Sequence, residues 1–463
     1  MYLQQFFIDG IGCLSYLVGC ESYGVAAVID PDRDVQKYLD AAADRGLKIT
    51  HIIETHLHAD HVSGNTELSD RTSADIYVHE AADAEFEHKT LKGGDTLTLG
   101  NLDLRIRHTP GHTPESITVL VADKTRSEQT WMALTGDTLF VGDAGRPDLV
   151  GLEAARDLAG HMHDTLNNEY LTLPDGTLIL PGHGAGSLCG KSIGSVRITT
   201  LGFERGSNPA LQPRTRDEYI DFATTGLPEQ PGNHKRIKAI NRQGPRPLGE
   251  VKPRPLSTQQ AINEFQRGAA LLDTRTAAEY KQAHIPGATH LPFDEQLSNR
   301  IGHVLQPDAL IVLQVSDPAD YVALVYRLAR VGFENVVGYL ADSLSTWQAL
   351  GLPVTAGDVR DIEANELSTL LAEGAERPLV VDVREAWEYA SGHIPGAKLI
   401  SLGELTRRVT ELDPHQPIAV ICASGSRSQS AAALLGQKGF DTVYNIVGGM
   451  YSWSGSGLPV ERG

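Results

Sequence analysis

The segment from Thr55 to His61 holds the densest group of reactive side chains in the sequence. Within six residues, directly after the apolar run 49–53, it contains His56, His58, Asp60 and His61. Compatible ligands recur downstream at His112, Asp137 and His183. Imidazole and carboxylate groups suit borderline first-row cations, and a cation held by two histidines and one carboxylate keeps open positions for substrate or oxygen. The sequence therefore predicts a catalytic metal centre.

A second reactive group lies near the end of the chain. Cys422 is followed by the small residues Ala423, Ser424, Gly425 and Ser426, and then by Arg427. An apolar strand end precedes this segment, and residues 428–435 are helix-like. Backbone N–H groups of such a loop, the helix dipole and Arg427 would lower a thiol pKa and stabilise a persulfide or thiosulfate anion. We therefore predict that Cys422 and Arg427 are catalytic and that the four residues between them bind substrate.

The elements that must position the metal ligands alternate along the first part of the chain. Short β-like runs, such as 24–30, 49–54, 97–106, 117–122 and 178–180, are separated by polar stretches compatible with helices. This pattern predicts a mixed α/β unit over residues 1–245. The proline-rich stretch that follows disfavours regular structure, and we predict a linker at residues 246–255.

The remainder of the chain contains an internal repeat. The segments 272–280 and 284–288 match 381–389 and 393–397, with a constant offset of 109 residues. Each copy continues with an apolar strand, a helix ending in Gly-Phe and a Trp-containing finish. We predict two doubly wound α/β domains, at residues 256–355 and 359–463, with a boundary near Thr355 to Asp358.

Composition excludes several classes of function. A length of 463 residues predicts about three domains. The net charge of -19 argues against nucleic-acid binding. The sequence shows neither a secretory signal nor an apolar run of the ~18 residues that span a membrane, so we expect a cytoplasmic protein. Four cysteines cannot build a disulfide framework. The oligomeric state stays open, and a homo-oligomer is allowed.

The histidine motif, with the later Gly-His, Gly-Asp and Gly-His pairs, resembles the metallo-β-lactamase superfamily. The resemblance covers the whole first unit and implies an αββα sandwich. Members often hold two zinc ions, which here would place His56, His58 and His112 at one ion and Asp60, His61 and His183 at the other, bridged by Asp137. A dizinc thioester hydrolase of the glyoxalase II type, fused to a sulfurtransferase domain, is therefore an open alternative.

Finer motifs resemble the persulfide dioxygenases, which use one iron. They lie at residues 111–116, 136–140, 142–148 and 181–186. This resemblance implies that His56, His112 and Asp137 hold one Fe(II). The other ligand-type residues would then orient these ligands or manage protons, and they are His58, Asp60, His61 and His183. Three coordination positions would remain for O2 and a persulfide thiolate, so that the outer sulfur is oxidised to sulfite.

Other residues near these motifs have less specific signals. Arg146 lies in a Gly-rich loop, where it either clamps a substrate carboxylate such as that of glutathione or forms an ion pair with Asp143 or Asp148. Tyr23, Lys191 and Arg197 are weaker candidates for substrate contact. We interpret Cys13 and Cys20 as small buried residues, and Cys189 as a less favoured candidate for relaying sulfur.

The last domain resembles the rhodanese family. The resemblance rests on the Cys422 loop and on its flanking segments 382–388, 393–397 and 447–453. Its Cys-x4-Arg loop suits a sulfur atom, whereas related phosphatases use Cys-x5-Arg, so we expect a sulfurtransferase. In the first copy, Val315 lies opposite Cys422 and Asp320 lies opposite Arg427. We therefore expect that copy to be catalytically silent and to act as a spacer or docking surface.

The domain order resembles persulfide dioxygenase–rhodanese fusions of sulfide detoxification. This resemblance implies an iron-dependent oxidation of a low-molecular-weight thiol persulfide by O2 to sulfite. The oxidation would be coupled to sulfur transfer by Cys422 among thiosulfate, sulfite and a thiol. The sequence leaves open the direction of sulfur flow and the identity of the carrier thiol.

Overall fold

Apolar runs in the first part of the chain form strands of two six-stranded sheets. The first sheet contains, in spatial order, β1 (Tyr2–Ile8), β2 (Cys13–Cys20), β3 (Val25–Ile29), β4 (Lys48–Ile53), β5 (Asp75–His79) and β6 (Lys89–Leu91). The next strands in the chain are β7 (Thr96–Leu99), β8 (Leu102–His108), β9 (Ile117–Asp123), β10 (Met132–Gly136), β11 (Leu139–Phe140), β12 (Asp143–Ala144), β13 (Leu178–Pro181) and β14 (Thr199–Thr200). The second sheet has the order β14-β13-β10-β9-β8-β7, and β11 and β12 form a separate hairpin.

Helices cover the outer faces of both sheets. They are α1 (Gln36–Asp44), α2 (Asn65–Thr72), α3 (Leu152–Thr165), α4 (Leu201–Ser207), α5 (Arg216–Thr224) and α6 (His234–Gln243), with short helical turns at Glu80–Ala82, Leu166–Tyr170 and Pro209–Leu211. Apolar side chains of the two sheets, such as Ile53 and Leu134, form the central core. Tyr38 of α1 packs on the first sheet, and Met162 of α3 packs on the second. These layers confirm the predicted αββα sandwich.

The sequence predicts one continuous β-run at residues 97–106, and this prediction is wrong. The stretch 97–106 contains parts of two antiparallel strands, β7 and β8, joined by a tight turn. Gly100 lies in this turn with φ +61°, a conformation that glycine adopts without steric cost. The hairpin adds one strand to the edge of the second sheet.

The internal repeat is a structural repeat. The first copy contains β15 (Pro255–Leu256), β16 (Ala270–Asp273), β17 (Thr289–His290), β18 (Ile311–Gln314) and β19 (Val336–Leu340), with α7 (Thr258–Gln266), α8 (Ala277–Gln282), α9 (Leu297–Val304), α10 (Tyr321–Arg330) and α11 (Leu344–Ala349). The second contains β20 (Val359–Ile362), β21 (Leu379–Asp382), β22 (Lys398–Leu399), β23 (Ile418–Ile421) and β24 (Val443–Ile446), with α12 (Ala364–Ala372), α13 (Ala386–Ser391), α14 (Leu402–Arg408), α15 (Ser426–Gln437) and α16 (Gly449–Gly455). Their parallel sheets have equivalent orders, β15-β19-β18-β16-β17 and β20-β24-β23-β21-β22.

The computed structural model of the protein describes residues 1–187, 189–190, 193–227, 233–356, 359–372 and 377–463. The chain divides into one unit of Met1–Glu250 with Ala329–Gly332 and another of Val251–Leu328 with Phe333–Gly463. The predicted domain limits stay predictions, and two residues of the proposed boundary, 357 and 358, lie outside the described residues, as does Lys191. In the described part of the chain, no helix is both long and apolar enough to cross a membrane.

Candidate metal centre and cysteine loop

The candidate metal ligands follow the carboxyl ends of strands from both sheets. The histidine segment 56–61 follows β4, and His112 follows β8. Asp137 directly follows β10, and His183 comes two residues after β13. Since β10 and β13 are parallel neighbours, with Gly136 paired to Pro181, Asp137 and His183 lie side by side at one sheet edge.

Three ligand atoms converge in what we call the first cluster, formed by His56, His112 and Asp137. Asp137 Oδ2 lies 3.4 Å from His112 Nε2 and 3.9 Å from His56 Nε2, and all three side chains are buried. Among the residues that the structure describes, neither His112 Nε2 nor Asp137 Oδ2 has a hydrogen-bond partner. Buried polar atoms without partners are costly, so this pair fits a bound cation.

The other atoms of the first cluster are held in place. His112 Nδ1 lies 2.9 Å from the Arg146 carbonyl oxygen, and His56 Nδ1 lies 3.0 Å from Thr55 Oγ1. Burial lowers the pKa of both histidines, and for His56 the neighbouring His58 lowers it further. Burial alone would raise the pKa of Asp137, but His183, His112 and His56 outweigh it and hold the pKa below its usual range. Neutral imidazoles and an ionised carboxylate are the forms that bind metal.

A second cluster lies beside the first and consists of Cys13, Asp60, His61 and His183. Cys13 Sγ donates to Asp60 Oδ2 at 2.8 Å and lies 3.0 Å from His183 Nε2 and 3.6 Å from His61 Nδ1. His183 Nε2 also lies 2.8 Å from Asp60 Oδ2, while its Nδ1 lies 2.7 Å from Asp137 Oδ1. The atoms of Cys13, Asp60 and His183 that could bind a metal are therefore hydrogen-bonded to one another or to Asp137.

His58 is directed toward buried carboxylates. Its Nε2 lies 3.1 Å from Asp30 Oδ1 and 3.5 Å from Glu54 Oε2. Burial lowers the pKa of His58, but Asp30 and Glu54 outweigh it and raise the pKa well above its ordinary value. The His58 ring lies beside the His56 ring, with 4.2 Å between the centroids and 53° between the ring planes. This arrangement suits a residue that supports His56 better than a third imidazole on the cation of the first cluster.

The cysteine loop joins β23 to α15. Cys422 is buried directly after β23, and the backbone N–H of Gly425 donates to its Sγ at 3.1 Å. Gly425 has φ +96° and caps the start of α15. The loop backbone is held by α16, where Met450 N donates to the Cys422 carbonyl and Tyr451 N to the Ala423 carbonyl. A buried thiol thus lies at the N-terminus of a twelve-residue helix, as the sequence predicts.

Arg427 binds a neighbouring carboxylate. Its two terminal nitrogens donate to the Glu388 carboxylate oxygens at 2.7 Å each. Part of the positive charge expected to act on the sulfur is therefore balanced by Glu388. In the first copy of the repeat the equivalent carboxylate, Glu279, accepts from Ser316 Oγ at 2.7 Å instead. The first copy thus has a hydrogen bond from a neutral hydroxyl where the second copy has an ion pair.

Two family models match separate parts of the chain. The metallo-β-lactamase superfamily matches residues 8–183, and the rhodanese-like domain matches residues 257–350 and 363–456. A crystal structure of a metallo-β-lactamase from Staphylococcus aureus subsp. aureus COL is 32% identical, with a TM-score of 0.65, and the match covers 73% of this chain and 98% of that one. The chain belongs to the metallo-β-lactamase superfamily. It also carries two rhodanese-like domains, as the repeat predicts.

Two named relatives of this metallo-β-lactamase superfamily protein represent different enzyme classes. A hydroxyacylglutathione hydrolase from Rhodospirillum rubrum is 35% identical over 170 residues, which cover 36% of this chain and 60% of that protein. A mitochondrial persulfide dioxygenase from Bos taurus is 28% identical over 213 residues, which cover 45% of this chain and 75% of that protein. Both matched families are enzyme families, which supports an enzyme.

Arg146 forms the ion pair that was one of its two predicted roles. Its Nε and Nη2 donate to the two carboxylate oxygens of Asp148 at 2.7 and 2.8 Å, and the side chain is buried. Its carbonyl oxygen is the group that holds His112. The role of Arg146 as a clamp for a substrate carboxylate stays a prediction that this geometry does not favour.

Sequence reasoning missed several residues of the site. Cys13 is buried as predicted, but its thiol also contacts Asp60 and His183 as part of the second cluster. Asn241 Nδ2, on α6, donates to the His58 and His61 carbonyl oxygens at 2.8 and 2.7 Å. The electrostatic neighbours of buried His234, also on α6, include Asp60 and His112. No motif marks these three residues. Cys189, the less favoured relay candidate, places its thiol within 4.8 Å of ligand atoms of Asp137 and His183.

Proposed function

We propose that the metallo-β-lactamase-fold unit is an iron-dependent persulfide dioxygenase and that the second rhodanese-like domain transfers sulfur through Cys422. The observation that carries this proposal is the contrast between the two clusters. In the part of the chain that the structure describes, two potential metal-binding atoms of the first cluster, His112 Nε2 and Asp137 Oδ2, lack a hydrogen-bond partner. Cys13, Asp60 and His183 of the second cluster are hydrogen-bonded among themselves.

The donor set supports one redox-active cation. Two imidazoles and one carboxylate are the ligands of non-haem Fe(II) oxygenases. When bound, a ferrous ion would supply the redox chemistry that activates O2 toward the persulfide sulfur. The protein residues hold this set: the Arg146 carbonyl oxygen orients His112, Thr55 orients His56, and His183 binds the second oxygen of Asp137.

The proposed oxidation converts the outer sulfur of a thiol persulfide to sulfite. For a persulfide RSSH, the overall reaction consumes one O2 and one water and releases RSH, SO3²⁻ and two protons. Both oxygen atoms of O2 and the oxygen of water end in sulfite. The substrate class is a low-molecular-weight persulfide such as glutathione persulfide.

The proposed transfer uses the thiolate of Cys422. Attack on thiosulfate forms a Cys422 persulfide and releases sulfite, and a thiol acceptor then takes the outer sulfur. The Gly425 N–H already donates to this sulfur, and the N-terminus of α15 favours an anion there. The same steps run in reverse, so the two centres can be coupled in either direction by sulfite and persulfide.

The dizinc thioester hydrolase is the second candidate, and the hydroxyacylglutathione hydrolase relative supports it. Metal analysis of anaerobically purified protein separates the two. One iron per chain, with O2 consumption on a persulfide that is lost in His56→Ala, supports the dioxygenase. Two zinc ions per chain, with cleavage of a glutathione thioester and no O2 consumption, would replace it with the hydrolase.

A further inference from the structure

The thiol of Cys13 lies within the group of residues that would bind a second cation. Its Sγ contacts Asp60 Oδ2 at 2.8 Å and His183 Nε2 at 3.0 Å, and the side chain is only 2% exposed. These two atoms are themselves 2.8 Å apart. The three atoms form a compact triangle of hydrogen-bonding groups.

The spacing of the donor atoms differs between the two clusters. Two donors bound to one cation at about 2.1 Å, with an angle between 90 and 110°, are about 3.0 to 3.4 Å apart. The separations in the first cluster, 3.4 and 3.9 Å, lie at and above the upper limit of this range, so these atoms leave room for a cation between them. The contacts of Cys13, Asp60 and His183, at 2.8 to 3.0 Å, are at or below this range and match hydrogen bonds.

Both ring nitrogens of His183 are already engaged. Its Nδ1 lies 2.7 Å from Asp137 Oδ1, and its Nε2 lies near Asp60 and Cys13. Asp60 uses Oδ2 for these contacts, while its Oδ1 lies 3.3 Å from His61 Nδ1. Among the buried side-chain nitrogen and oxygen atoms that the structure describes in Asp60, His61 and His183, His61 Nε2 alone lacks a hydrogen-bond partner. One donor atom does not hold a cation.

The backbone fixes Cys13 against His183 independently of the side chain. Cys13 and His183 form an antiparallel bridge, in which Leu14 N donates to the Gly182 carbonyl at 2.7 Å and Gly184 N to the Gly12 carbonyl at 2.8 Å. Gly12 has φ +71°, and a Cβ there would lie 2.9 Å from Ser187 N. A change of the Cys13 side chain therefore leaves the segment in place.

We propose that Cys13 limits the centre to a single cation, because its thiol fills and hydrogen-bonds the position that a second cation would take. The inference rests on the same metal centre as the proposed function, but it concerns how many cations bind. Removal of the sulfur atom leaves room on the order of one water molecule, which is enough for a small cation between Asp60, His61 and His183.

Titration of the metal-free full-length protein with Co²⁺ tests this inference. We expect one equivalent per chain for the wild type and two for Cys13→Ala. Cys13→Val is the matched control, because its methyl groups fill the space of the thiol without binding metal, and it should stay at one equivalent. All proteins carry Cys422→Ser, so that the rhodanese thiol does not contribute to the spectrum.

Two results would overturn the inference. A wild type that binds two equivalents, with a thiolate-to-Co²⁺ absorption band that Cys13→Val removes, would make Cys13 a ligand. A folded Cys13→Ala protein that stays at one equivalent would show that something else excludes the second cation. A wild type that binds two equivalents contradicts the inference even when no variant folds. Oxygen consumption is measured separately, so the proposed dioxygenase can fail while this inference holds.

Discussion

The substitution Gly182→Ala tests how the first cluster is held. A Cβ at this position would lie 2.5 Å from Asp137 Oδ1 and 3.0 and 3.1 Å from the Gly136 carbonyl carbon and oxygen. Backbone on one side prevents Gly182 from moving away, so the Asp137 carboxylate must turn. This displaces Oδ2, the candidate ligand atom, and strains the 2.7 Å contact between Oδ1 and His183 Nδ1.

The expected loss follows from the role of such contacts. Disturbing groups that orient a metal ligand typically lowers metal affinity by about 10- to 100-fold, or about 1.4 to 2.7 kcal/mol. Gly184→Ala is the matched control in the same loop. Its nearest atoms would be Arg197 Cγ and Phe7 Cε2, both at 3.6 Å, which is ordinary contact, so its effect should stay below about 0.5 kcal/mol.

Anaerobic competition for Fe(II) against a chromophoric chelator measures both affinities. Circular dichroism and the thermal midpoint check that each variant is folded. If Gly182→Ala and Gly184→Ala bind Fe(II) with equal affinity, the assignment of Asp137 as a ligand held by this loop is refuted.

Three further predictions concern other parts of the chain. Cys422→Ser should abolish sulfur transfer from thiosulfate and leave metal content intact; residual transfer would contradict the loop assignment. Gly449→Ala should also impair sulfur transfer, because its Cβ would lie 2.3 Å from the Cys422 carbonyl oxygen and Gly449 has φ +55°. Gly436→Ala is the control, since a Cβ there meets open space and should leave transfer unchanged. Equal transfer rates in the two variants would contradict this prediction. Burial lowers the pKa of His234 to about 4, from 6.5, so protons favour the unfolded chain as pH falls through this interval. The wild type should therefore lose unfolding free energy on the order of 3 kcal/mol between pH 6.5 and pH 4 because of His234, and His234→Gln should lose correspondingly less. Urea unfolding at these two pH values measures the loss, and an equal loss in the variant and the wild type would exclude this role of His234.

The fold was largely accessible from the sequence because its signals are local. Apolar runs of strand length predict β3, β4, β9 and β13 to within one or two residues. The repeat with its offset of 109 residues predicts two copies of one topology, and the sheets have equivalent orders. The hairpin of β7 and β8 was missed because its turn, at Gly100 and Asn101, interrupts an otherwise continuous pattern.

The candidate metal ligands could be expected to lie close together for a topological reason. Each follows a strand, and the carboxyl ends of neighbouring strands such as β10 and β13 meet at one edge. The contribution of Cys13 depends instead on a bridge to His183, 170 residues away in the chain. His234 and Asn241 lie on a polar helix whose docking no local pattern indicates.

Side-chain pairing marks the limit of the sequence reasoning. Arg427 was expected near an anionic substrate, and Arg146 either near a substrate carboxylate or in an ion pair with Asp143 or Asp148, because guanidinium groups bind carboxylates and sulfur oxyanions well. The same property lets them bind Asp148 and Glu388 within the protein. A pattern of residue types does not distinguish these partners, since the choice depends on rotamers and neighbours.

The most direct test of the central claim is the ratio of O2 consumed to sulfite formed with glutathione persulfide as substrate. Iron-loaded Cys422→Ser should consume one O2 for each sulfite formed, and the wild type should consume one O2 for each molecule of sulfite and thiosulfate taken together. His112→Ala should consume none beyond the uncatalysed background. Sulfite production without O2 consumption, or undiminished O2 consumption by folded His112→Ala, would contradict an oxidation at a cation held by His56, His112 and Asp137.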